Sequence, residues 1–289
     1  VLETCKHLEK LGWAEVTYLP VDKFGLVSVE DVKKAIKENT VLVSIMYVNN
    51  EVGTIEPIAE IGKLIRTYNK EHTTKKTYFH TDATQAVQYL DCSVDMLGVD
   101  MLSMTGHKLH APKGIGALYI RKGTPMVRQQ DGGGQESGFR AGTENVPYIV
   151  GLGKAVEMAK FQIPNSKFQI EKLRDQLITG VLKIPGTKLT GHPTQRAPHI
   201  ASFVFEGVEG EAMLLYLSEE GIAVSSGSAC TSGSLEPSHV LLAMGILPEA
   251  AHGSVRFSLS RYTTENDIQY VLEVLPGIVQ KIREMAPRL

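Results

Sequence analysis

The sequence predicts an α/β domain built on a largely parallel sheet, followed by a smaller α+β domain. Two patterns carry this. Runs rich in β-branched residues alternate with amphipathic stretches through the first half, and beyond Ile163-Pro-Asn-Ser166 strands and helices follow in a mixed order. The chain has 289 residues, 43% of them hydrophobic, enough to form one large or two medium cores. The division expected is 1–165 for the large domain and 166–289 for the small one.

The elements follow in order. Leu2, Cys5, Leu8 and Leu11 are spaced as a helical stripe, so the chain opens inside a helix. Val41–Val48 reads as a buried strand, and Ile55–Tyr68 as a helix with Pro57 in its first turn. Tyr78–Thr81 is a short strand with a helix after it over about Ala83–Val87. Asp100–Met104 and Gly116–Ile120 are two more strands, and Glu144–Phe161 is a long helix. In the second half, helices are expected over Lys167–Leu182, Glu211–Glu219, Ser238–Met244 and Thr264–Ile282. Strands are expected at Ile200–Phe205, Ile222–Val224 and Ser254–Leu259.

Composition narrows the function. A net charge of −2 leaves no basic footprint for nucleic acid or an anionic membrane surface. No apolar run approaches the roughly 18–20 residues that span a bilayer, and no basic segment leads into an apolar one as in a secretory signal. Three cysteines, at positions 5, 92 and 230, make neither a disulfide framework nor a zinc cluster. A reducing, cytoplasmic setting is expected, with Cys5 and Cys92 structural.

Cys230 is different. It lies in Ser225-Ser-Gly-Ser-Ala-Cys230-Thr-Ser-Gly-Ser234, a small polar stretch that buries little apolar surface, whereas free cysteines are usually buried. The loop, about 223–237, reads either as a Ser/Gly linker with an incidental cysteine or as a tether carrying a thiol between sites.

Two further segments place polar groups at strand ends, where open α/β sheets bind ligands. His80-Thr-Asp-Ala-Thr-Gln85 puts Asp82 at one end, and Ser103-Met-Thr-Gly-His-Lys108 puts Lys108 just beyond another. Alone, Asp82 is a helix cap, Lys108 a solvated loop residue and His107 a structural histidine. Together, a carboxylate and an amine at one sheet edge suit pyridoxal 5′-phosphate. The lysine forms its Schiff base and the carboxylate keeps the pyridinium nitrogen protonated. Small residues such as Ser103, Thr105 and Gly106 let its phosphate approach.

These segments, with Tyr47–Gly53, Gly132–Thr143, Ser225–Pro237 and Ala251–Phe257, resemble the NifS/IscS-type cysteine desulfurases along the whole chain. The resemblance implies the pyridoxal-phosphate-dependent transferase fold of the aspartate aminotransferase type. Lys108 matches the cofactor lysine, Asp82 the pyridinium partner and Gln85 the contact to the ring oxygen. Asn50 matches a residue at the cofactor and substrate edge, and Thr105 and His107 match phosphate contacts. Thr143 matches a residue that reaches the phosphate of the other subunit, so a homodimer is implied. Arg256 matches the clamp on the substrate carboxylate, a task for which its planar fork is suited. Cys230 matches the thiol that takes sulfur from L-cysteine, leaving L-alanine. In complexes with Fe–S scaffold partners of the NifU/IscU kind it also matches a transient cluster ligand.

Family members carry about a hundred residues ahead of the point matching Val1, including a phosphate loop and a histidine stacked on the ring. His7 does not match that histidine. The 289 residues as given are therefore expected to bind the cofactor weakly and turn over poorly. Two other readings stay open: a selenocysteine lyase or another class-V enzyme on the same scaffold, and a non-catalytic truncated chain that docks on a scaffold protein.

Overall fold

A computed structural model describes residues 1–73, 75–226 and 236–285, without the side chains of 160–166. The Cys230 segment expected to be a tether lies outside the described residues.

The first half carries helices α1 (Leu2–Lys10), α2 (Val29–Ala35), α3 (Ile58–Glu71) and α4 (Val94–Leu97), with strands β1 (Leu42–Met46), β2 (Tyr78–Asp82), β3 (Met101–Thr105) and β4 (Gly116–Ile120). The strands form one sheet in the order β1-β2-β3-β4. The first three are parallel and β4 returns antiparallel at the edge, pairing Ser103 with Leu118. Crossovers through α3 and α4 bring the C-terminal ends of β1, β2 and β3 to one side, so residues following each strand become neighbours. The helix α3 follows its apolar spacing: Ile58, Ile61 and Ile65 are buried against Phe79, Val99 and Leu102.

The second half holds α5 (Val146–Val181), β5 (Thr187–Leu189), β6 (Ile200–Phe205), α6 (Gly210–Glu219), α7 (His239–Ala243), α8 (Pro248–Ala251), β7 (Ser254–Ser258) and α9 (Glu265–Met285). Its sheet runs β5-β6-β7, all antiparallel. All six residues of β6 are buried because it is the central strand, and Phe203 meets Phe205 and Phe257 there. Ile268, Val271, Leu275, Ile278, Val279 and Ile282 of α9 close this core at helical spacing.

Three expectations change. The two helices predicted on either side of Pro164 are one helix, α5, capped by Asn145, whose side chain accepts from the Tyr148 N–H. A proline removes one helical hydrogen bond. Burial of Leu152, Ala155 and Ala159 before it and of Ile170, Leu173 and Leu177 after it holds both halves in line. The helix predicted over Ala83–Val87 is a set of turns, in which Ala86 and Val87 both donate to the Ala83 carbonyl. The strand predicted at Ile222–Val224 is reduced to a bridge between Ser225 and Arg256, so β7 has β6 as its one full neighbour and a second supplied at one residue only.

Glu56 enters this core just before α3. It is 7% exposed, its Oε2 accepts from the Val27 N–H at 2.9 Å, and burial with Asp22 nearby pushes its pKa up to about 7. In the unfolded chain an ordinary glutamate ionises near 4.5. Between these two values the native state holds the extra proton, so stability falls as pH rises through this window, by about 3 kcal/mol in all. Glu56→Gln keeps an acceptor for Val27 and removes the ionisation. Urea midpoints should therefore be nearly equal for both chains at pH 4.5 and higher for the variant at pH 8. Equal midpoints at pH 8 would contradict the buried charge.

Candidate active site

The residues after β1 form a tight turn. The Asn49 side chain accepts from the N–H groups of Glu51 (2.9 Å) and Val52 (3.0 Å). Gly53 closes the turn with φ +80°, and a side chain there would also meet the Ile200 Cβ at 2.9 Å, so both conformation and space require glycine. Arg196, buried and donating to the carbonyls of Val52, Thr190 and Ile200, ties this turn to the segment leading into β6.

At the next strand end, Asp82 is half-buried and its Oδ1 accepts from the Thr84 N–H at 2.9 Å. The carboxylate therefore does hold the following turn, as the capping reading expects, while facing the same edge as Lys108. Gln85, one turn further, has its Oε1 3.1 Å from His199 Nε2. After β3, Gly106 starts a short 3-10 turn, His107–Leu109. A side chain at 106 would lie 2.7 Å from Ile115 Cγ2, so the backbone passes close under β4 and presents Lys108 on the exposed side of the turn. Thr105 Oγ1 and His107 Nδ1 are paired at 3.0 Å. Burial and the charges of Lys108 and Lys113 push the His107 pKa down.

The second sheet contributes Arg256 on β7. Its Nη1 donates to the Asn50 carbonyl at 2.6 Å, across 206 residues of sequence, and its backbone is bridged to Ser225 by two hydrogen bonds of 3.1 and 2.7 Å. Beside it, the buried Glu51 carboxylate accepts a short hydrogen bond from the Ser238 hydroxyl, which also caps α7. Burial raises the Glu51 pKa, opposed by Ser238, His239 and Arg256.

The structure thus gathers Asn50, Asp82, Gln85, Thr105, His107 and Lys108 at the ends of three adjacent strands and brings Arg256 to them from the other sheet. Thr143 is exposed, on the stretch that leads into α5, and no hydrogen bond or ion pair links it to the others. Cys230 lies outside the described residues. Among the described residues no group of three His, Cys, Asp or Glu side chains is placed to hold a metal ion, and no helix is long and apolar enough to cross a membrane.

Three residues of this region escape a reading from sequence: Glu51, its partner Ser238, and His199. The last is buried, touches Gln85, and packs against Tyr89 with the rings tilted by 30° and their centroids 4.6 Å apart. Nothing local to Arg196-Ala-Pro-His199 signals this, since its partners come from the other half of the chain.

The arrangement suits an anionic, ring-shaped cofactor. A carboxylate, an amide and an amine stand at one edge, and the charges of Arg256, Lys108 and Arg174 all act on the buried His199. The sequence profile of the class-V aminotransferases matches residues 1–271. The cysteine desulfurase IscS of Methanosarcina thermophila is 54% identical over 287 residues, which is 99% of this chain and 69% of that protein. The chain belongs to the cysteine desulfurase family. A solved NifS-like protein shares its fold with a TM-score of 0.88 at 38% identity, over 97% of this chain and 72% of that one. SspA, solved in complex with cysteine, gives 0.73 at 38% identity over 91% and 71%. Cysteine desulfurases work with pyridoxal 5′-phosphate, and the donor set at the three strand ends fits that group.

Proposed function

We propose that this chain removes sulfur from L-cysteine, releasing L-alanine and leaving a persulfide on Cys230. The supporting observation is the meeting of Arg256 with the Asn50 turn beside the Asp82 and Lys108 strand ends. It brings a cationic fork from the second sheet to the strand ends of the first that carry the carboxylate and the amine.

Pyridoxal phosphate, when bound, supplies an electron sink that makes the substrate's Cα proton acidic and its sulfur a feasible leaving atom. Lys108 would hold the cofactor covalently, and its free amine would take the substrate's Cα proton and return it. Asp82 would keep the pyridinium nitrogen protonated, Gln85 would donate to the ring oxygen, and Thr105 and His107 would hold the phosphate. Arg256 holds the substrate carboxylate through two parallel hydrogen bonds, with Asn50 beside it. The Cys230 thiolate then attacks the substrate sulfur. An S–S bond forms, the substrate's C–S bond breaks, and that carbon receives a proton to give alanine. The sum is cysteine plus a thiol giving alanine plus a persulfide, with no outside oxidant.

The same reading makes the chain a homodimer, with Thr143 reaching the partner's cofactor, and gives it two domains, 1–165 and 166–289. The persulfide passes to an acceptor such as an Fe–S scaffold protein of the NifU/IscU kind, in a cytoplasmic setting where a free thiol persists. The test supplies saturating pyridoxal phosphate and measures alanine. Alanine from cysteine, with sulfide released once a thiol reductant is added, supports the reading. Alanine from selenocysteine alone would assign a selenocysteine lyase instead, and none from either would leave a docking protein.

A further inference from the structure

His199 has no part in the chemistry above, yet it is 8% exposed and sits where the two sheets meet. Its Nε2 lies 3.1 Å from Gln85 Oε1, its ring packs at a tilt against Tyr89, and its carbonyl accepts from the Leu259 N–H at 2.8 Å. Its Nδ1 has no hydrogen-bond partner among the described residues. Burial and the surrounding cations Arg256, Lys108 and Arg174 hold its pKa down, to about 3, so the ring carries a single proton at neutral pH.

Where that proton sits decides what Gln85 does. A proton on Nδ1 leaves a buried donor unpartnered, the rarer and costlier defect. A proton on Nε2 leaves only an unpartnered acceptor there. The second state makes His199 the donor and the Gln85 oxygen the acceptor, which turns the Gln85 NH₂ away from His199.

We infer that His199 is a positioning residue that fixes the Gln85 amide with its NH₂ available to the ring oxygen of the cofactor. This rests on the pyridoxal phosphate reading above and adds a residue to it. With His199 absent, the amide is free to turn its oxygen toward the same place, and the ionised ring oxygen loses a donor.

Two measurements on the protein at saturating pyridoxal phosphate test this. In the first, the visible band of the bound cofactor is titrated with pH. A donor on the ring oxygen draws its negative charge away from the neighbouring protonated nitrogen, so its loss retains that proton to higher pH. His199→Leu should move the midpoint up by about 0.5–1 pH unit, while His199→Asn, which keeps a donor, should hold it near the unsubstituted value. An unmoved midpoint in the leucine variant, or an equal shift in both variants, overturns the inference. In the second, ¹⁵N spectra of histidine-labelled, unsubstituted protein read the tautomer directly, which needs no variant to fold. A proton on Nε2 of His199 is expected, and a proton on Nδ1 overturns the inference. Absence of any visible band in the unsubstituted protein overturns the cofactor reading itself, an outcome distinct from a band whose midpoint ignores His199.

Discussion

Lys108→Ala should remove the visible band of covalently held pyridoxal phosphate and lower alanine formation from cysteine at least about a thousandfold relative to the unsubstituted chain. The proposed mechanism gives Lys108 two roles, attachment of the cofactor and transfer of the Cα proton, and one substitution removes both. General acid–base catalysis alone is worth about 10²–10⁴-fold. The fold gives the lysine little competition for these roles. Asp82 is a carboxylate, His107 is paired with Thr105, and Arg256 is held by the Asn50 carbonyl and keeps its proton at any working pH. Lys108→Arg separates charge from chemistry, because a guanidinium keeps the cation beside His199 but cannot take up the covalent role. It should retain phosphate-dependent cofactor binding and still fail to turn over. The loss should not reflect unfolding, since Lys108 is on the exposed side of its turn while the crowded residue there is Gly106. Far-UV circular dichroism of the variants should match the unsubstituted chain. Turnover within tenfold of it by Lys108→Ala would remove this lysine from the mechanism.

How much of this was legible in the sequence depends on how local each signal is. Gly116–Ile120 is a strand at the predicted residues because its apolar run and the turn residues that flank it lie within a few positions. The Asp82 and Lys108 positions are legible for the same reason, Asp82 closing β2 and Lys108 following β3 by three residues, and a parallel sheet brings such ends together. Boundaries set by tertiary packing are not local. Pro164 reads as a break, but the buried faces on both sides of it carry α5 through. Ala83–Val87 reads as a helix, yet Asp82 spends its side chain on Thr84 and the segment coils into turns. Arg256 came from the family resemblance and not from any local pattern, since its partner Asn50 is 206 residues away. Glu51, Ser238 and His199 were invisible for that reason too: each is defined by a partner more than a hundred residues distant.

Cys230→Ser should stop catalytic alanine formation, lowering it at least about a thousandfold, while leaving the cofactor band and its response to added cysteine in place. The reacting atom is the reason. A thiol near pKa 8.5 is a few per cent thiolate at pH 7 and strongly nucleophilic toward sulfur, whereas a serine hydroxyl has no accessible anion and offers no stable S–S product. The described flanks of the segment bear on where this thiol is tethered. On one side Ser225 is bridged to Arg256, which holds the Asn50 carbonyl. On the other, Ser238 is hydrogen-bonded to Glu51, the next residue of the same turn. Both attachments of the cysteine-bearing segment therefore converge on the turn at the end of β1, beside Arg256. A linker with an incidental cysteine has no need to start and finish at one place beside the arginine proposed to hold the substrate. The substitution separates the readings, because it spares Lys108, Asp82 and Arg256 and takes away only the proposed sulfur acceptor. Intact mass after incubation with cysteine should show one added sulfur on the peptide containing residue 230 of the unsubstituted chain and none on the variant. Full turnover by Cys230→Ser would return the loop to the linker reading and move the sulfur-accepting step to another group.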